Sequence, residues 1–170
     1  MSKISGDSAK EFTDNANKKF GDGDLGTTDY ETAYKLGGFK DGKILKLEFT
    51  CTITMDYAEV GSGKPDANNK KAIAKIADIA EAHEKRHKAG YEKAFKEFDA
   101  KKTAAALMEE IYKSRADAEK AIKDAFNDLE KALNDACLNL HKKEGLIDVV
   151  AQADGSFKII ERAAGAQGCL

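Results

Sequence analysis

Tryptophan is absent from this 170-residue chain, proline occurs once, and cysteine and histidine occur three times each. Cys51, Cys137 and Cys169 are an odd number and too few for a disulfide scaffold. An excess of one charge is also missing. The 28 basic and 30 acidic residues leave a net charge of -2, which gives no electrostatic footprint for nucleic acid or an anionic membrane. No run of about 18 apolar residues is present to span a bilayer, and the opening MSKISGDSAKEF lacks the apolar core of a signal peptide. What remains, 34% charged and 42% hydrophobic residues, is a globular composition of single-domain length.

Residues 1–28 are polar, with Phe12 and Phe20 as isolated anchors, and read as an irregular lead-in to a single domain over 29–170. Tyr30, Thr32, Tyr34 and Leu36 alternate weakly, and Gly37-Gly38 and Asp41-Gly42 supply turn residues. The clearest strand follows. Leu45, Leu47, Phe49, Cys51, Ile53, Met55 and Tyr57 fall on one face, with Lys46, Glu48 and three threonines on the other. The two segments predict an antiparallel hairpin.

After the break at Gly61–Pro65 the period becomes helical. Ile73, Ile76, Ala80, His83, His87, Tyr91, Ala94 and Phe98 form one stripe of a helix over about 69–100. Gly90 inside it costs about 1 kcal/mol relative to Ala, which predicts a packing or access reason for it. A second helical region over about 103–143 carries Leu107, Ile111, Ala118, Ile122, Phe126, Leu129, Leu133, Cys137 and Leu140, with a break expected near 113–116. Gly145 is a stop signal, and the tail over 146–160 reads as two short strands around Asp154-Gly155. The fold class expected is α+β: an antiparallel hairpin or small sheet packed on two long antiparallel α-helices, zincin-like once the next motif is counted.

That motif is His83-Glu84-Lys85-Arg86-His87, an H-E-x-x-H sequence inside the first helix. Residues four apart on a helix stand about 6 Å apart along the axis, so both imidazoles can reach one ion. Zn2+ takes imidazole nitrogen at about 2.0–2.1 Å without distorting that helix. Glu84 is too close to His83 in sequence to be a comfortable third ligand, and is placed to serve as general base toward the metal-bound water. A catalytic zinc takes three protein ligands. Gly90 fits the longer H-E-x-x-H-x-x-G-x-x-H pattern, but Lys93 stands where its last histidine would be. The third ligand must therefore come from elsewhere, and two candidates are His141 and Glu144, three residues apart on one face of the second helix. The bland alternative makes His83 and His87 packing residues on a Lys/Glu-rich helix, and His141 a cation near a helix end.

The threonine-rich strand Thr50-Cys-Thr-Ile-Thr-Met-Asp-Tyr57, a linker, Ala-His-Glu-x-x-His on a helix, and then a second long helix resemble a family of predicted secreted bacterial zinc-dependent proteases. In that family the second helix leads into a His-Gly pair that supplies the third histidine. Laid over this chain without gaps, the pair falls on Glu144-Gly145, so a glutamate or His141 takes its place. The resemblance covers about residues 44–146. It implies a zinc metallopeptidase acting on a peptide or protein substrate, secreted or periplasmic. The competing expectation is a non-catalytic, inactive relative whose long helices bind a protein partner. A long amphipathic strand ahead of the motif also suggests an edge for pairing with extended peptide.

Other signals are weaker. Gly21-Asp-Gly-Asp-Leu-Gly26 follows no strand, and its acidic side chains repel a pyrophosphate, leaving at most a calcium contact through Asp22 and Asp24. Gly61-Ser-Gly-Lys64 lacks the upstream glycine of a phosphate-binding loop. Cys51 and Cys137 read as buried thiols, and Tyr57 and Tyr91 as core residues within reach of an oxyanion role.

Overall fold

In the computed structural model, which describes residues 1–21, 24–144, 146–152 and 156–162, strand and helix periods separate much as the sequence pattern dictates. The elements are β1 (Ser2–Ile4), α1 (Ala9–Phe20), β2 (Gly26–Leu36), β3 (Phe39–Lys40), β4 (Lys43–Ile44), β5 (Leu47–Val60), α2 (Ala67–Phe98), α3 (Ala100–Glu109), α4 (Arg115–Glu144), β6 (Leu146–Ala151) and β7 (Phe157–Arg162). The fold is α+β, with two long helices and small sheets. Contacts divide the chain into two compact units. One holds Met1–Asp29, Thr54–Lys88 and the stretch from Asn139, and the other holds Tyr30–Ile53 and Ala89–Leu138.

The lead-in expected over 1–28 is not irregular. Ser8 caps α1 by accepting the Glu11 N–H at 3.2 Å, while the Glu11 carboxylate reaches back to the Asp7 N–H at 2.9 Å. The Ser-x-x-Glu spacing is a capping-box pattern. Ala9, Phe12 and Ala16 then fall on one helical face and are buried with Ile4, Ala58, Ala72, Ile73 and Ile76 in the core of the first unit. Phe12 is not an isolated anchor but a fully buried core residue. β1 adds to the sheet by pairing parallel with β5, Ser2 opposite Ala58 and Ile4 opposite Val60. Met1–Asp29 share a unit with Thr54–Lys88, and the chain passes to the other unit at Tyr30.

The sheet order is β1-β5-β2. The Gly37 N–H donates to the Lys46 carbonyl and the Ala58 N–H to the Leu25 carbonyl, each at 2.8 Å, so β2 and β5 run antiparallel as expected. The alternation in β5 holds for Leu47, Phe49 and Tyr57, which are buried. It fails at Leu45, 60% exposed, because a short hairpin precedes the strand. That hairpin pairs Lys40 with Lys43 across Asp41 (φ 50°) and Gly42 (φ 77°), the positive-φ pair of a type I′ turn. β5 lies between β2 and β1, but β1 covers it only over Ala58–Val60, so the expected edge is closed at that end of the strand.

In the second unit, α2 and α4 are antiparallel: Gly90 lies opposite Ala136, while Phe98 packs with Ile122 and Phe126. Tyr91, Ala94, Leu129 and Leu133 fill the interface on the predicted stripes. The expected helix break is present and wider than expected, over residues 110–114 between α3 and α4. At Gly90 a Cβ would meet the Ala136 Cβ at 3.8 Å, an ordinary contact, so packing does not require a glycine there. β6 and β7 pair antiparallel, Leu146 opposite Arg162. The Asp154-Gly155 turn and the Gly145 stop lie outside the described residues. No helix among the described residues is long and apolar enough to cross a membrane.

Candidate metal centre

Helical spacing puts His83 and His87 on one face of α2, and α4 brings His141 to them within the first unit. His83 Nε2 lies 3.1 Å from His87 Nε2, which lies 2.9 Å from His141 Nε2. The three candidate donor atoms all fall within 4.8 Å of one another. The rings of His83 and His141 stack 5° from parallel, and His87 stands edge-on to both. His87 and His141 are 7% and 5% exposed.

This arrangement suits a cation better than it suits itself. One N–H cannot point along both contacts of His87, whereas an ion at the centre accepts all three lone pairs. Tetrahedral bonds of about 2.0–2.1 Å place neighbouring donor atoms about 3.3 Å apart, so the two contacts of His87 would lengthen by only a few tenths of an ångström. His83 Nδ1 is buried without a hydrogen-bond partner. Three histidines are therefore close enough to hold a metal ion.

Burial keeps them ready. His83 is pushed down to about 4, by burial first and then by the neighbouring His141 and Arg86. His87 falls to about 3 through burial, His83, His141 and Arg86, and His141 is lowered by burial against an opposing pull from Asp24. All three are neutral near pH 7, as metal binding requires.

Glu84 is 5% exposed and faces the start of β2. The Thr28 hydroxyl donates to its Oε2 at 2.6 Å. Burial lifts Glu84 to about 7 against the Thr28 hydrogen bond, with the charges of Asp24 and Asp29 adding to the rise. A carboxyl group poised there can both take and return a proton at neutral pH.

These shifts set how the metal-free chain responds to acid. Depressed histidine values stabilise the fold fully above the ordinary 6.5, and that contribution is lost as pH falls through about 4 and about 3. The raised Glu84 acts oppositely, favouring the fold below 4.5 and losing that contribution through about 7. Three imidazoles outnumber one carboxyl. The urea midpoint in chelator should fall between about pH 6.5 and pH 4.5, and a flat or rising midpoint would contradict the burial of the trio.

Of the residues singled out from sequence, His83, His87 and His141 come together, Glu84 is buried next to His83 on α2 with its carboxylate against Thr28, and the side chain of Glu144 lies outside the described residues. Asp22 lies outside them too. Tyr57 donates to Glu81 at 3.0 Å, and Tyr91 packs edge-on against Tyr30 in the second unit. Cys137 is disulfide-bonded, not a buried thiol, which removes it as a nucleophile; the partly buried Cys51 is free, and burial raises its thiol. Sequence reasoning missed Gly26 and Thr28, because both fell in the supposed lead-in.

No curated protein and no solved structure matches the chain. A family model described as a bacterial protein of unknown function (DUF922) matches residues 2–142, a span that includes all three histidines and Glu84. The chain belongs to this bacterial family of unknown function.

Proposed function

We propose that this protein is a zinc-dependent metallopeptidase in which His83, His87 and His141 hold the metal and Glu84 is the general base. The observation that carries the reading is the convergence of the three Nε2 atoms beside a buried glutamate on the same helix. Neutral imidazole nitrogens suit zinc, and three protein ligands leave a fourth position open for water or substrate. Zinc held there would polarise a peptide carbonyl and acidify a water molecule. Glu84 accepts the proton from the attacking water and returns it to the leaving amine, which its raised affinity for protons permits near neutral pH. Thr28 supports the carboxylate while this happens. The resemblance to secreted zinc-dependent proteases supports the same reading, and with it we propose a secreted or periplasmic location.

The test is hydrolysis of fluorescein-labelled casein by the full chain after zinc loading. We expect one zinc per chain by elemental analysis, loss of cleavage on chelation, and its return with added zinc. Bound zinc with no cleavage would favour the non-catalytic, partner-binding alternative. Absence of bound metal would defeat both the peptidase and the metal site.

A further inference from the structure

Two positions on β2, far from the H-E-x-x-H motif in sequence, fit closely around Glu84. The Thr28 hydroxyl donates to Glu84 Oε2 at 2.6 Å and lies 3.2 Å from the Glu84 main-chain carbonyl oxygen, so one hydroxyl reaches both ends of the residue. Gly26 is two residues away and on the same face of the strand. A Cβ at Gly26 would fall 2.7 Å from Glu84 Cγ and 3.0 Å from Oε1. It would also stand 2.9 Å from the Asp56 carbonyl oxygen, a backbone atom of β5 that cannot swing aside. Gly26 is not among the positive-φ glycines, so what the position demands is space, not conformational freedom.

We propose that Thr28 and Gly26 are positioning residues for Glu84: the hydroxyl holds Oε2, the bare Cα admits the carboxylate, and Oε1 is the oxygen that handles the proton. This rests on the reading of Glu84 as the base. Oε1 accepts no hydrogen bond among the described residues. The last torsion of a glutamate is broad and roughly two-fold, so an untethered carboxylate samples orientations in which neither oxygen is aimed. A tether on one oxygen fixes the other, and misplacement by about 1 Å can cost about 100-fold in rate.

A merely space-filling Thr28 would tolerate Thr28→Val, which keeps the shape and removes the hydroxyl. We expect that variant to lower kcat on fluorescein-labelled casein about 10- to 100-fold, with KM and zinc affinity unchanged. Thr28→Ser should recover most of the loss, and Gly26→Ala should lower kcat even where zinc still binds. Wild-type kcat in Thr28→Val overturns the proposal.

A second readout is independent of turnover. Thr28→Val should raise the urea unfolding equilibrium constant of the full chain about tenfold when Glu84 is present, and less than about threefold in a Glu84→Ala background. Equal shifts in the two backgrounds overturn the tether, whatever the kinetics. If the wild-type chain cleaves no casein, it is the peptidase reading that fails, and this unfolding cycle alone then decides whether Thr28 holds Glu84.

Discussion

Glu84→Gln is expected to reduce casein hydrolysis by about 10³-fold while leaving the zinc content at one per chain. The amide matches the carboxylate in size, and its oxygen can still accept from the Thr28 hydroxyl. It cannot take a proton from water near pH 7. The metal should be unaffected, because Glu84 is not one of the three converging donors. The same substitution carries a stability signature. Glu84 is lifted to about 7, so above that pH the native chain holds a carboxylate that burial disfavours. Glutamine carries no such charge, and the variant should unfold at higher urea than the native chain near pH 8. A chain that gains stability as it loses turnover fits a strained catalytic group. Unchanged hydrolysis in Glu84→Gln would remove Glu84 from the mechanism.

His141→Ala is expected to weaken zinc binding by more than the 10- to 100-fold typical of losing an outer-shell partner, because it removes a direct ligand. The measurement is competition against a chromophoric zinc chelator. His87 Nε2 faces both other imidazoles, at 3.1 and 2.9 Å, so loss of His141 strips one side of the central donor. Glu144→Ala, at the last residue of α4, should leave zinc affinity within about threefold under the three-histidine reading. Strong weakening in Glu144→Ala and none in His141→Ala would transfer the third position to the carboxylate. Casein hydrolysis should follow the metal in each variant, since His141 acts on catalysis only through the ion.

Much of the fold was legible because it is local. The alternation of Leu47, Phe49 and Tyr57 and the stripe from Ile73 to Phe98 repeat at periods set by backbone geometry. The Asp41-Gly42 turn follows from which residues tolerate positive φ. Helix α1 was equally local in its capping signal, Ser8 with Glu11, yet its polar composition hid the Phe12 and Ala16 face. β1 was not legible: three residues have no period, and only pairing with β5 makes them a strand. The cover that β1 gives β5 over Ala58–Val60 escaped for the same reason, since strand order is a relation between segments.

The candidate site divides along the same line. Sequence alone determined that His83 and His87 share a helical face with Glu84 between them, because 3.6 residues per turn leaves no other arrangement. It also narrowed the third donor to two neighbours on the second long helix. Only the tertiary structure brought the His141 nitrogen to 2.9 Å from His87, a meeting across 54 residues that depends on how α2 and α4 pack. Only the structure placed Gly26 and Thr28 against Glu84, because a strand and a helix separated by more than 50 residues meet through burial, and no local period encodes that meeting.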